Sequence, residues 1–170
     1  MAETIFDTIA VNQALDTMAK SMAADEVYII GIQRGGSEVA DALQHRLKKT
    51  DITIHRGNLD ISFYRDDLDT IGPNPEVRRS ELPFDMTDKH IYLVDDVLYT
   101  GRTIRAALGE IFDYGRPATV RLVVLVDRGG HELPIAADIT GLSHHAKAGQ
   151  SVKLNNDPNG WTIELRQVKK

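Results

Sequence analysis

A run of four apolar residues that ends in two adjacent carboxylates constrains this chain more than any other feature. Residues 91–94 are apolar, Asp95 and Asp96 follow, and a short loop of small and hydroxyl residues leads to a helical pattern from Ile104. This order predicts a buried strand with two anionic groups at its carboxyl end, then a loop, then a helix. The unpaired N–H groups and positive dipole end of a helix N-terminus favour a bound phosphate.

The carboxylates and the helix N-terminus predict two neighbouring subsites of different chemistry. Carboxylates repel phosphate, but they accept hydrogen bonds from vicinal hydroxyls such as those of a ribose, or they hold a metal ion. Together the two features indicate a pocket for a ribose 5-phosphate. The alternative is an ordinary strand–loop–helix connection in which both Asp residues are solvated. Neither the G-x-x-x-x-G-K-[ST] loop nor the dinucleotide pattern G-x-G-x-x-G occurs in the sequence.

Length and composition bound the class of protein. A chain of 170 residues with 42% hydrophobic and 26% charged residues predicts one globular domain, residues 1–170. The absence of cysteine excludes disulfides and thiol catalysis. The start of the chain is not a secretory signal and no long apolar run occurs, so a cytoplasmic location is expected. A net charge of −5 argues against broad nonspecific binding of nucleic acid.

Apolar patterns along the chain predict alternating strands and helices. The expected fold is therefore a doubly wound, mostly parallel α/β sheet with flanking helices and a C-terminal hairpin. In such sheets, ligands bind at the carboxyl ends of the strands. The predicted elements are a helix over 11–22, a strand over 27–32, a helix from Ser37, one or two strands within 52–63, the strand and helix described above, a strand over 118–126, and a hairpin after 152–154.

Two further loops at strand ends contain candidate site residues. Arg34, Gly35 and Gly36 open a helix, and their glycines and guanidinium fork predict a pyrophosphate loop. The alternative there is a plain βα turn. Asp127 and Arg128 precede two glycines, and the exposed backbone of that turn is suited to the edge of a flat base. The alternative is a β-turn with an Asp127–Arg128 salt bridge.

The stretch 67–88 holds three prolines and many charges, which predicts a long mobile loop. A loop of this length in a compact domain often acts as a lid that excludes water. Arg78 and Arg79 lie in it, and we expect them to neutralise a departing pyrophosphate. The alternative is a disordered surface loop with ordinary charges.

Several of these segments resemble those of a known family. The stretch from Ile91 to Thr103 is similar to the phosphoribosyl pyrophosphate (PRPP) motif of type I phosphoribosyltransferases. Together with 61–68, 115–117, 124–129 and 132–135, it resembles the pyrimidine operon regulator/uracil phosphoribosyltransferase family. The resemblance implies a phosphoribosyltransferase fold with a small hood. It also implies conversion of uracil and PRPP to UMP and pyrophosphate, with Mg²⁺ held mainly by PRPP.

The resemblance also implies roles for individual residues. Asp95 and Asp96 would hold the ribose hydroxyls, Arg34 to Gly36 would face pyrophosphate, and Asp127 with Arg128 would form the uracil hood. Purine phosphoribosyltransferases carry an Asp that acts as a base for the purine ring where this chain has Tyr99. This difference favours a pyrimidine substrate and a mechanism without a dedicated general base. The residues expected to wrap the 5-phosphate are Val97, Leu98, Tyr99, Thr100, Gly101, Arg102 and Thr103.

A second activity implied by the resemblance is UMP-dependent binding of pyrimidine leader RNA in transcription attenuation. The first helix carries Asp16 and Thr17 where relatives often have Thr or Arg, and Lys20 is its only cation in that region. We therefore expect catalysis to be retained and RNA regulation to be weak. The alternatives are an RNA-binding attenuator that senses uridine nucleotides, and a phosphoribosyltransferase for another base. A homodimer or higher assembly is expected from the resemblance alone.

Overall fold

Strands and helices alternate along the chain in a computed structural model, which describes residues 2–22, 24–61 and 80–168. The predicted helices and central strands are all present, with ends that differ by a few residues. The elements in chain order are β1 (Ala2–Phe6), α1 (Thr8–Ser21), β2 (Glu26–Ile32), α2 (Gly35–Leu47), β3 (Thr53–Leu59), β4 (His90–Leu98), α3 (Arg102–Tyr114), β5 (Thr119–Asp127), β6 (Ile139–Ser143), β7 (Gln150–Asp157) and β8 (Gly160–Gln167).

The main sheet has the strand order β3-β2-β4-β5-β6, and all neighbouring strands in it are parallel. This confirms the expected doubly wound fold. A second, antiparallel sheet has the order β1-β8-β7 and contains the predicted C-terminal hairpin. No helix among the described residues combines the length and apolar character needed to cross a membrane.

Both faces of the main sheet are buried, which explains why its central strands are almost continuously apolar. Successive side chains of β2 point to opposite faces. Val27 and Ile29 pack with α1 and α2, whereas Ile30 and Ile32 pack with α3. The hairpin contributes Val152 and Ile163 to the cluster around α1 and α2, which joins the second sheet to the domain.

The connections of the strands create one switch point in this sheet. β2 leads through α2 to β3 on one side, whereas β4 leads through α3 to β5 on the other side. The direction of winding therefore reverses between β2 and β4. A crevice outside the carboxyl ends of two such strands is the usual ligand site of doubly wound sheets.

The structure narrows the long loop that the sequence predicted over 67–88. Residues 80–88 are anchored at two points: Glu81 pairs with Asn58 of β3, and Met86 is buried beneath Gly115. Leu82 and Phe84 also pack against the apolar cluster around α3. The prolines and charges concealed an alternation of apolar side chains in this stretch. The rest of the predicted lid, with Arg78 and Arg79, lies outside the described residues.

Candidate active site

The two carboxylates lie where the sheet opens between β2 and β4. Gly31 and Val94 are the last residues paired between these strands, whereas β4 continues beside β5 to Leu98. Asp95 is only 6% exposed and Asp96 is partly exposed. The prediction that both residues follow the strand was wrong in one detail, since the strand runs through them. Asp95 pairs with Val124 and Val97 pairs with Val126 of β5, so this acidic segment is held by the sheet rather than by a loop.

The extension of β4 also shortens the loop before α3. Val97 and Leu98 lie in the strand, where Leu98 is buried and its carbonyl accepts a hydrogen bond from the Arg128 N–H at 3.1 Å. The loop itself is limited to residues 99–101. Gly101 has a φ of +91° at the N-cap of α3, a left-handed conformation that favours glycine. Three residues thus separate the end of β4 from the start of α3.

The two glycines that open α2 pack directly on the same carboxylates. A Cβ added to Gly35 would lie 2.2 Å from Oδ2 of Asp96, and one added to Gly36 would lie 2.5 Å from the Val94 carbonyl oxygen and 3.1 Å from Oδ1 of Asp95. Two residues without side chains are therefore required for α2 to begin this close to β4. The structure thus brings the predicted pyrophosphate loop and the acidic pair into one site.

Two helices begin at this site without a side-chain cap. In α1, which lies elsewhere, Asp7 caps the helix by accepting a hydrogen bond from the Ala10 N–H at 2.9 Å. Neither α2 nor α3 has such a cap. In α3 the Arg102 N–H donates to the Thr100 hydroxyl at 3.2 Å, and in α2 the Ser37 N–H donates to the Arg34 carbonyl at 3.1 Å. The positive dipole ends of both helices favour an anion. Each helix start is therefore a candidate site for an anionic group.

The turn after β5 packs on the end of β4 and on the loop that precedes α3. Gly129 and Gly130 have φ values of +70° and +79°, which confirms the predicted tight turn. The alternative Asp127–Arg128 salt bridge is absent from the described contacts. Oδ1 of Asp127 instead lies 2.9 Å from the Gly129 N–H, which donates to it, and 2.9 Å from Nε2 of His131.

Arg128 points away from Asp127 and into the protein. Its guanidinium carbon lies 3.7 Å from the centre of the Tyr99 ring, and one of its terminal nitrogens donates to the Gln150 carbonyl at 3.1 Å. The side chain is only 6% exposed. A hood residue that the sequence placed against the base is therefore buried behind the loop that precedes α3.

Sequence reasoning missed the residues that fasten these loops together. The backbone N–H groups of Glu132 and Leu133 both donate to the Thr100 carbonyl, at 3.0 and 3.1 Å. The Glu132 carboxylate also accepts a hydrogen bond from Nε of Arg102 at 3.1 Å. These contacts join segments about thirty residues apart, so no local pattern in the sequence could have indicated them.

The acidic pair fits a magnesium ion that takes most of its ligands from a substrate. Among the described residues, no group of three His, Cys, Asp or Glu side chains converges as a metal site. Mg²⁺ commonly uses one or two carboxylates together with phosphate oxygens and water. Asp96, which is the more exposed of the two acids, supplies oxygen donors of this kind.

Comparisons with known proteins agree with this geometry. The phosphoribosyl transferase domain family matches residues 1–157. The hypoxanthine phosphoribosyltransferase of Trypanosoma cruzi superposes with a TM-score of 0.66 at 18% identity, covering 85% of this chain and 83% of that one, which supports the fold alone. Fold and site together define a type I phosphoribosyltransferase.

Relatives of higher identity narrow the class to one family. Bifunctional protein PyrR of Nitrosococcus oceani is 51% identical over 137 residues, which cover 80% of this chain and 77% of that protein. Bifunctional protein PyrR of Akkermansia muciniphila is 44% identical over 157 residues, 89% of each chain. The chain belongs to the PyrR family, as its sequence motifs predicted.

Proposed function

We propose that this protein is a uracil phosphoribosyltransferase that converts uracil and PRPP to UMP and pyrophosphate. One observation carries the proposal: two adjacent carboxylates at the switch point pack against the start of α2 and precede the start of α3 by one short loop, and neither helix has a side-chain cap. PRPP has the matching order of groups, a 5-phosphate, a ribose with two hydroxyls, and a pyrophosphate on C1. Membership of the PyrR family supports the same activity.

In the proposed mechanism, the chain holds the sugar rigidly while the bond to C1 is exchanged. The N-terminus of α3, with Thr100 and Thr103, binds the 5-phosphate, and Asp95 and Asp96 accept hydrogen bonds from the ribose hydroxyls. The N-terminus of α2, with Arg34, Gly35 and Gly36, faces the pyrophosphate. Holding both ends of PRPP in this way supplies the orientation that the reaction needs.

The bond from C1 to the pyrophosphate oxygen breaks as the bond from C1 to N1 of uracil forms, and the N1 proton leaves to solvent. Positive charge grows on the ribose ring, where the carboxylates stabilise it. Negative charge grows on pyrophosphate, where Arg34 and the positive dipole end of α2 stabilise it. Mg²⁺ bound with PRPP would add charge neutralisation at the departing phosphates. We infer that Arg78 and Arg79 contribute further positive charge.

The proposed base site lies beside the turn after β5, at the exposed part of Tyr99, since the turn and Arg128 already pack on this ring. The Tyr99 ring is 45% exposed and offers a flat apolar wall, while the turn at Gly129 and Gly130 offers backbone donors and acceptors. A tyrosine here supplies no base for a purine ring. This supports uracil over hypoxanthine or guanine as the substrate.

Product formation from PRPP with a panel of bases tests the proposal. We expect UMP from uracil, and turnover that falls by at least about 10²-fold in Asp95→Asn/Asp96→Asn, since two charged contacts to the transition state are lost. The control is Asp157→Asn, which changes an exposed Asp at the end of β7 and should retain the wild-type rate. Activity on hypoxanthine without activity on uracil would refute the assignment.

The family name indicates a second function, and we propose that RNA regulation is weak in this chain. Arg46 lies on α2 and is paired with Asp16 of the neighbouring helix α1 at 2.7 Å. It also donates a hydrogen bond to Asn12 of α1. One of the few cations near this surface is therefore neutralised. A homodimer remains our expectation from the resemblance, and sedimentation at several protein concentrations would test it.

A further inference from the structure

Arg128 joins three segments of the chain that form different parts of the site. Its backbone N–H donates to Leu98 at the end of β4, and its side chain stacks on Tyr99 in the loop before α3. The guanidinium also donates to Gln150 at the start of β7. The turn that follows, at Gly130, packs so closely on the Tyr99 ring that an added Cβ would lie 2.9 Å from it.

The environment of Arg128 indicates that stacking, and not ion pairing, holds this side chain in place. It is 6% exposed, and no carboxylate among the described residues pairs with it. Its Nε has no hydrogen-bond partner there either. A buried cation with an unsatisfied donor is costly unless another contact offsets the loss of water. The Tyr99 ring face, 3.7 Å from the guanidinium carbon, supplies that contact.

We propose that Arg128 is a positioning residue that couples the base-binding turn to the sugar-phosphate loop through Tyr99. The proposal rests on the function proposed above. Ordering the loop around a ribose 5-phosphate fixes Tyr99, and Tyr99 fixes Arg128 and the turn that begins at Asp127. Binding at one subsite therefore raises the affinity of the other subsite for its ligand. The factor of increase must be the same in both directions.

This role differs from direct contact with uracil. A residue that touches the base alone would weaken uracil binding by the same factor whether or not the sugar site is occupied. A residue that couples the loops should instead change the ratio between the two affinities. That ratio separates a positioning residue from a simple contact and from a general loss of stability.

Calorimetry with ribose 5-phosphate and uracil measures the ratio, because this pair lacks the pyrophosphate leaving group and cannot react. In the wild type, we expect saturating uracil to tighten binding of ribose 5-phosphate by about 5-fold or more. In Arg128→Met, the ratio should fall close to one. Binding of ribose 5-phosphate alone should remain within about 3-fold of the wild type, since the N-terminus of α3 still holds the phosphate.

Two further variants test the same contact from its other side. Tyr99→Leu removes the ring at a half-exposed position and should lose the coupling in the same way. It tests the contact even if Arg128→Met does not fold. Tyr99→Phe keeps the ring and should retain the coupling. The matched control is Arg166→Met on β8, where Arg166 pairs only with Glu164 among the described residues and lies outside the site. It should retain the wild-type ratio.

The outcomes separate this inference from the proposed function. Loss of coupling in Arg128→Met and Tyr99→Leu, with coupling retained in Tyr99→Phe and Arg166→Met, supports the role of Arg128. A wild-type ratio of one, or a ratio unchanged by Arg128→Met, overturns it. Turnover of PRPP with uracil is measured on the same wild-type preparation, and absence of turnover counts against the proposed function instead.

Discussion

Glu110 is a buried acid on α3 that the catalytic site does not use. It is 4% exposed, one carboxylate oxygen accepts a hydrogen bond from the Ser80 hydroxyl, and the other has no partner among the described residues. Burial raises the pKa of Glu110, and the neighbouring charges of Asp60 and Asp113 raise it further, although the Ser80 hydrogen bond acts in the opposite direction. The folded protein therefore binds this proton more tightly than the unfolded chain does.

The sign of this pKa shift predicts how Glu110→Gln changes stability. Since the pKa is raised on folding, the wild type loses stability as pH rises from the unfolded pKa, near 4.5, through the higher folded pKa. Glutamine keeps an acceptor for Ser80 and carries no charge. We expect Glu110→Gln to raise the Tm at neutral pH by about 2–4 °C, the shift that 1 kcal/mol gives in a domain of this size. The gain should shrink as pH approaches 4.5.

Thermal melts of the two proteins from pH 4.5 to pH 8 check this prediction. Glu3→Gln, at an exposed position of β1, is the control and should leave the Tm close to the wild-type value at every pH. A variant at Glu110 that is less stable than the wild type at pH 8 would mean that the ionised carboxylate makes a net favourable interaction.

Single residues were predictable where their chemistry follows from local order. Asp95 and Asp96 stood out because an apolar run leads into them and a glycine turn follows, all within thirteen residues. The direction of Arg128 was not predictable. Its partners, Tyr99 and Gln150, are remote in sequence, and an adjacent Asp offered an obvious local partner that the side chain does not use.

At the scale of elements, the approach of α2 to β4 sets the geometry of the site. Gly35 lies at the start of α2, and an added methyl group would fall 2.2 Å from Oδ2 and 2.5 Å from Cγ of Asp96. Relief of that clash requires the helix or the carboxylate to move. Either movement separates the two parts that face the pyrophosphate and the ribose.

Gly35→Ala is therefore expected to reduce kcat/KM for PRPP by about 10²-fold, the loss typical of a displacement near 1 Å in a catalytic site. Gly109→Ala is the matched control, because Gly109 is exposed on α3 and alanine favours a helix. This control should keep its activity and gain a little stability. Wild-type kinetics in Gly35→Ala would show that the contact between α2 and Asp96 is not needed.

The elements with strong apolar periodicity were predictable, and the missing ones depend on partners. β1 and β6 have five residues each and are only partly buried, so they lack the pattern of a central strand. They form because β8 and β5 offer free edges for pairing. The same reason explains why 80–88 was read as loop, since its order comes from packing on β3 and α3.

At the scale of the whole molecule, charge separates the two activities of the family. The sequence carries a net charge of −5, and an RNA surface needs clustered cations to release the counterions of the phosphates. Near α1, Arg46 is held by Asp16, and near β3, Arg56 is held by Asp41 at 3.0 Å. Each of these guanidinium groups is therefore already paired with a carboxylate in the protein without RNA.

Filter binding of pyrimidine leader RNA, with and without UMP at about 50 mM and 200 mM salt, tests this charge argument. We expect no retention of RNA by the wild type at micromolar protein. Asp16→Asn leaves the charge of Arg46 uncompensated, so weak retention of RNA should appear at about 50 mM salt and be lost at about 200 mM salt. Asp113→Asn is the control, because it makes the same change of charge on α3, across the sheet from α1, and should not improve binding.

Tight, UMP-dependent retention by the wild type would contradict the prediction, since it would require a cationic surface that the described part of α1 and its neighbours does not supply.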